Sequence, residues 1–166
     1  MKNKTNPLFD NMEQKKKYHT PEAALQKLQA YCAYQERCHQ EVVAKLYDLG
    51  IYGENQDNII AQLISENFLN EERFAIAYAR GKFRIKQWGK IRIRQALKLR
   101  QISEYSIKKA MQGIDTEGGY LETLTKVMTT KAKDYEGDRQ QKQKLAAFAM
   151  QRGFESELIW EILKDF

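Results

Sequence analysis

After Pro21 the sequence contains no proline, and the whole chain has only two. Every later position is therefore free to join a helical hydrogen-bond ladder. Glycine is also sparse, nine in 166 residues, and Gly50, Gly53, Gly113, Gly118, Gly119 and Gly153 stand where a helix would end. The two cysteines, Cys32 and Cys38, sit six apart in a helix-like stretch, pointing in different directions and ill placed for a disulfide, so a reduced setting is expected. The two histidines, His19 and His39, add no second ligand pair at zinc spacing, and no metal is expected. No apolar run approaches the roughly 18 residues of a membrane span, and MKNKTNPLFDNMEQKKK lacks a signal-peptide core. These absences predict a soluble, cytoplasmic chain with no membrane partner. Neither a phosphate-binding GxxxxGK[ST] loop, nor GxGxxG, nor GxSxG occurs, so no catalytic residue or cofactor is expected and an enzyme is the weakest class.

What is present suits a folded helical protein, with 42% hydrophobic and 11% aromatic residues. Leu25, Leu28 and Cys32, then Val42, Val43, Leu46 and Leu49, then Ile59, Ile60, Leu63 and Ile64 recur at three- and four-residue spacing. Thr20 followed by Pro21 reads as the start of the first helix, after a flexible tail over residues 1–20. The turns KLYDLGI, ALKLRQI and AMQRGF place Gly50, Gln101 and Gly153 at intervals of 51 and 52 positions. That spacing predicts three copies of a three-helix unit, over residues 21–67, 68–117 and 118–166, each covering a neighbour's apolar face.

Charge is distributed unevenly. Positions 80–100 hold nine lysines and arginines and no acid, so against a net charge of +6 the rest of the chain carries −3. Within this stretch KIRIR alternates like a strand, but QALKLR follows it and its place in the repeat belongs to a helix. Helix is the better reading. Ile93 and Leu97 then face inward, while Arg92, Lys98 and Arg100 point out. Arg80, Arg84, Lys86, Lys90, Arg92, Arg94, Lys98 and Arg100 are the candidate partner-binding residues, with Trp88 as a candidate for base stacking. A nucleic-acid backbone and an acidic protein groove would both suit this surface, and composition leaves the two open. Glu71 and Glu72 read as acids at a helix start rather than as a catalytic pair.

Three motifs resemble the bacterial RecX family, regulators of the recombinase RecA. CHQEVVAKLYDLGI is similar to the family's first pattern through Glu41, Lys45, Leu46 and Gly50; FLNEERFAIAYAR with WGKIRIRQAL resembles its most specific part; RGFESELI resembles its closing helix. Two positions depart from the pattern. Cys38 stands where the family has a capping serine, and Gln101 replaces the glycine of the second turn. The resemblance implies an all-α, elongated, curved array of three tandem three-helix repeats. It further implies a monomeric, non-enzymatic regulator, mainly an inhibitor, whose partner is the RecA nucleoprotein filament. Such a protein would lie in the filament groove and hinder filament growth, ATP hydrolysis and strand exchange. Single- or double-stranded DNA, bound directly by the basic middle repeat, is the alternative partner.

Overall fold

The computed structural model describes residues 19–166, so residues 1–18 of the expected tail lie outside the described residues. Among those described every regular element is helical. The helices are α1 (Pro21–Tyr34), α2 (His39–Asp48), α3 (Gly53–Ser65), α4 (Glu71–Lys86), α5 (Lys90–Leu99), α6 (Glu104–Glu117), α7 (Tyr120–Ala132), α8 (Gln141–Gln151) and α9 (Ser156–Ile162). Short 3-10 turns follow α7 and α9. N-cap side chains start three of the helices, and at α2 the Cys38 amide donates to Glu41 Oε2 (2.9 Å), one half of a capping box. The Ala23 amide donates to Thr20 Oγ1 (3.2 Å), the Arg73 amide to Asn70 Oδ1 (2.8 Å) and the Ser106 amide to Ser103 Oγ (3.3 Å).

The repeat is visible at the level of single hydrogen bonds. Gly50, Gln101 and Gly153 all adopt left-handed backbone, with φ of 77°, 58° and 88°. Their amides donate to Tyr47, Lys98 and Met150, and the next residues, Ile51, Ile102 and Phe154, donate to Leu46, Leu97 and Ala149. This double return closes each helix in the same way, and Ile51, Ile102 and Phe154 are buried beneath it. Gln101 holds the glycine conformation at a cost of roughly 1–2 kcal/mol. The same reading misplaces three other glycines. Gly113 lies inside α6, while Gly53 opens α3 and Gly119 caps the start of α7. A mid-helix glycine costs only about 1 kcal/mol, which the buried Ala110, Met111 and Ile114 around it offset.

KIRIR is helical. A strand would place Ile91 and Ile93 on one face, but Ile93 is fully buried beside Leu97 while Ile91 is 44% exposed. Ile64, expected on the apolar stripe of α3, is exposed because Ile59, Ile60 and Leu63 already fill the inward arc.

The apolar interior has two parts. Ala24, Leu28, Val42, Leu46, Ile59 and Leu63 form a core within α1–α3. Phe74, Phe83, Ile93, Leu97, Ile107, Leu124, Leu145 and Phe154 belong to a second core that α4–α9 share. Helices α4–α6 and α7–α9 therefore bury each other's faces, whereas α1–α3 largely bury their own. Helix α5 has no side-chain cap. Its first amides are satisfied from the next repeat: Gly89 donates to the Arg152 carbonyl (2.8 Å), Lys90 to Tyr120 Oη (2.9 Å) and Ile91 to the Gly153 carbonyl (3.0 Å).

Candidate basic interface

Helices α4 and α5 carry the basic stretch. Asn70 fixes where α4 begins, and Gln87, in left-handed backbone with φ 52°, ends it so that Trp88 and Gly89 turn the chain into α5. Glu71 does more than start its own helix. Its Oε1 accepts from the Ser103 amide (3.0 Å) and hydroxyl, tying the start of α4 to the start of α6. Partial burial pushes this carboxyl up, but the hydrogen bonds from Ser103 and Ser106 outweigh it and hold it below the usual range.

The structure divides the eight predicted cations into two groups. Arg80 and Arg84 (3.1 Å) both pair with Glu117, Lys90 pairs with Asp115, and Arg94 and Lys98 (each 2.9 Å) share Glu104. All three acids lie on α6, outside the acid-free stretch of sequence. Glu104 titrates below the usual carboxylate range because Lys98 donates to it, with the charges of Lys98 and Arg94 adding to the effect. These five cations are thus partly neutralised by their own repeat. Such exposed pairs are screened by solvent and contribute little to stability.

Arg92, Arg100 and Lys86 have no acid in these pairs. The Arg92 guanidinium sits 4.0 Å from the Trp88 ring centroid and donates to the Gln151 carbonyl (3.2 Å). Arg100 lies 4.7 Å from the Tyr78 ring and donates to the Ala96 carbonyl. Lys86 is exposed, and its carbonyl accepts from Arg152 (2.9 Å). Between the two rings stands Lys82, 5.2 Å from Tyr78 and 5.1 Å from Trp88. The result is a ladder, Arg100, Tyr78, Lys82, Trp88, Arg92, in which cations and rings alternate. Trp88 is half-buried and already engaged by two cations, so a stacking base would have to displace one of them.

Sequence reading counted Lys82 within the basic stretch but missed Tyr78 as part of this surface, although the four-residue spacing in Tyr78/Lys82 and Trp88/Arg92 is its signal. It also missed a continuation in the third repeat. Arg152 lies 5.0 Å from the Phe148 ring and Lys131 5.3 Å from both Phe148 and Tyr135. A cleft of about 460 Å³ lies here, between Gln87 of the second repeat and Lys126, Lys131, Phe148 and Arg152 of the third.

No group of three or more His, Cys, Asp or Glu side chains that could hold a metal occurs among the described residues, and both cysteines are free and buried. No described helix is long and apolar enough to cross a membrane.

Comparison with known proteins agrees with the all-helical repeat fold. The second three-helix domain of RecX matches residues 70–111, and the third matches residues 119–163. Regulatory protein RecX of Prosthecochloris aestuarii is 26% identical over 142 residues, covering 86% of this chain and 92% of that protein. The protein of the same name from Neisseria meningitidis serogroup B is 30% identical over 111 residues, 67% of this chain and 69% of that protein. Among solved structures, RecX from Lactobacillus salivarius superimposes with a TM-score of 0.73 at 21% identity, covering 87% of this chain and 95% of its own. A second structure, of a regulatory protein RecX, gives 0.77 at 24% identity, covering 88% of this chain and 73% of that one.

Proposed function

The chain belongs to the RecX family, and on that premise we propose that it is a non-enzymatic regulator of RecA, mainly inhibitory, which binds in the groove of the RecA–DNA filament. The observation that carries this reading is the cation–aromatic ladder of α4 and α5, with its continuation through Phe148 and Arg152. It offers fixed positive charge along one line of a repeat array. Successive repeats of such an array can meet successive subunits of a filament, so that several weak contacts act as one strong one. Hindered filament growth, ATP hydrolysis and strand exchange would follow. The protein acts in the cytoplasm, where RecA filaments assemble, and acts as a monomer.

The test is RecA ATP hydrolysis on single-stranded DNA, titrated with this protein, beside a DNA-only binding assay. Hydrolysis is expected to fall at amounts well below those that coat the DNA. Unchanged hydrolysis and strand exchange at saturation would refute the proposal.

The same ladder favours one other reading, a helical protein that acts on DNA or RNA directly, since cations carry phosphate affinity and rings carry stacking. Hydrolysis lost only once the DNA is saturated would select it.

A further inference from the structure

Repeat symmetry pairs the two junctions of the array. Gly89 and Gly153 meet at the later junction; 51 and 52 positions earlier stand their counterparts, Cys38 and Gln101. At the later junction the main chains touch. A Cβ on Gly89 would lie 2.2 Å from the Gly153 oxygen and one on Gly153 would lie 2.3 Å from Arg92 Cβ, so only glycine permits the two hydrogen bonds there. The counterparts have side chains. Among the described residues no main-chain hydrogen bond joins α1–α3 directly to α4–α9, although the amides of Phe68 and Leu69, in the connection between them, donate to the Leu63 carbonyl of α3, and a cleft of about 410 Å³ lies between His39 and Gln40 on one side and Arg100, Gln101 and Ile102 on the other.

Little else spans this cleft. Arg73 reaches back to Glu36 (2.5 Å), to Asn67 through its side chain and carbonyl (each 3.0 Å), and to the Phe68 carbonyl (3.4 Å). The other oxygen of Glu36 is buried without a hydrogen-bond partner. From the first repeat, only Cys38 joins the core that α4–α9 share, whereas the later junction is part of that continuous core.

We propose that the first junction is a joint: α1–α3 swing as one body against a rigid block of α4–α9, opening at the cleft with Arg73–Glu36 as the latch. Opening exposes one thiol and parts one ion pair, while both cores stay packed. Its free energy therefore lies well below that of unfolding. The motion turns the first repeat relative to the ladder, whose Arg100 forms one wall of the cleft.

The two cysteines report on it. In the closed structure Cys38 is 1% exposed and Cys32, inside the first repeat's own core, is 5% exposed. A rigid molecule should therefore label Cys32 first or both together on unfolding. The joint reverses the order. The wild-type protein is pulsed with N-ethylmaleimide in urea concentrations below its transition, and each cysteine is followed by peptide mass spectrometry. Cys38 should react at least about tenfold faster than Cys32, at a rate nearly independent of urea, because the opening exposes little surface. Glu36→Gln should speed Cys38 several-fold and leave Cys32 unchanged, with helical circular dichroism intact. Labelling of Cys32 at an equal or greater rate would overturn the joint, as would parallel acceleration of both thiols by urea.

Discussion

Arg92 and Arg94 are two positions apart in one helix and meet different surroundings. The first lies against Trp88 and forms no ion pair among the described residues, and the second pairs with Glu104. If the ladder is the contact surface, changing Lys82, Arg92 and Arg100 together to glutamine should weaken partner binding at least about tenfold, each charge removed from a contact with an anionic partner costing roughly 0.5–1 kcal/mol. Changing Arg84, Arg94 and Lys98 instead should cost less than about threefold, since these charges already have acids and surface changes stay within ~0.5 kcal/mol each. Filament binding and urea melts on both variants check this, and equal losses of affinity would remove the distinction. The local half of the ladder was legible in the sequence as ring and cation four apart. Arg100 over Tyr78 was not, because it joins two helices. Nor were Glu104, Asp115 and Glu117 as partners, since they follow the basic stretch in sequence and return to it only when α6 packs on α4 and α5.

Each repeat ends its second helix with the same left-handed turn and double hydrogen bond, and these ends were readable because few residues tolerate positive φ. The starts differ. Helix α5 draws its capping from the third repeat, so Gly89→Ala should act on a junction as well as on a helix. The new Cβ must push away the Gly153 carbonyl and break two main-chain hydrogen bonds, a loss of about 3 kcal/mol in chemical denaturation. Gly113→Ala is the control: nothing lies within 4 Å of its new Cβ, and it should gain ~0.5–1 kcal/mol. KIRIR shows why an element is read in context. Five residues fit either period, and the buried pair Ile93 and Leu97 decides for 3.6.

Across the whole molecule charge follows the repeats. Residues 21–67 hold three basic and seven acidic side chains, residues 68–117 twelve and five, and residues 118–166 eight of each. An acidic module thus stands beside a basic one, and any polyanion meets the second repeat first. If nucleic acid is bound directly through about five phosphate contacts, log affinity should fall with log salt at a slope of about −3.5 for a single strand, or about −4.5 for a duplex. Fluorescence anisotropy on labelled single-stranded DNA without RecA measures it, and no binding at low salt would dismiss that reading.

Composition and periodicity by themselves determined that this chain is an all-helical, three-copy array with its positive charge in the middle copy. The helices depend on residues a few positions apart, where backbone geometry alone sets which side chains share a face, and the copies on a pattern of turns that recurs along the chain whatever the packing. Tertiary structure decided which of the predicted cations pair with the acids of α6, that the second and third copies share a core the first joins only through Cys38, and that one junction is sealed by two glycines while a cleft lies at the other. Each of these turns on residues tens of positions apart, and only packing brings them within ångströms of each other.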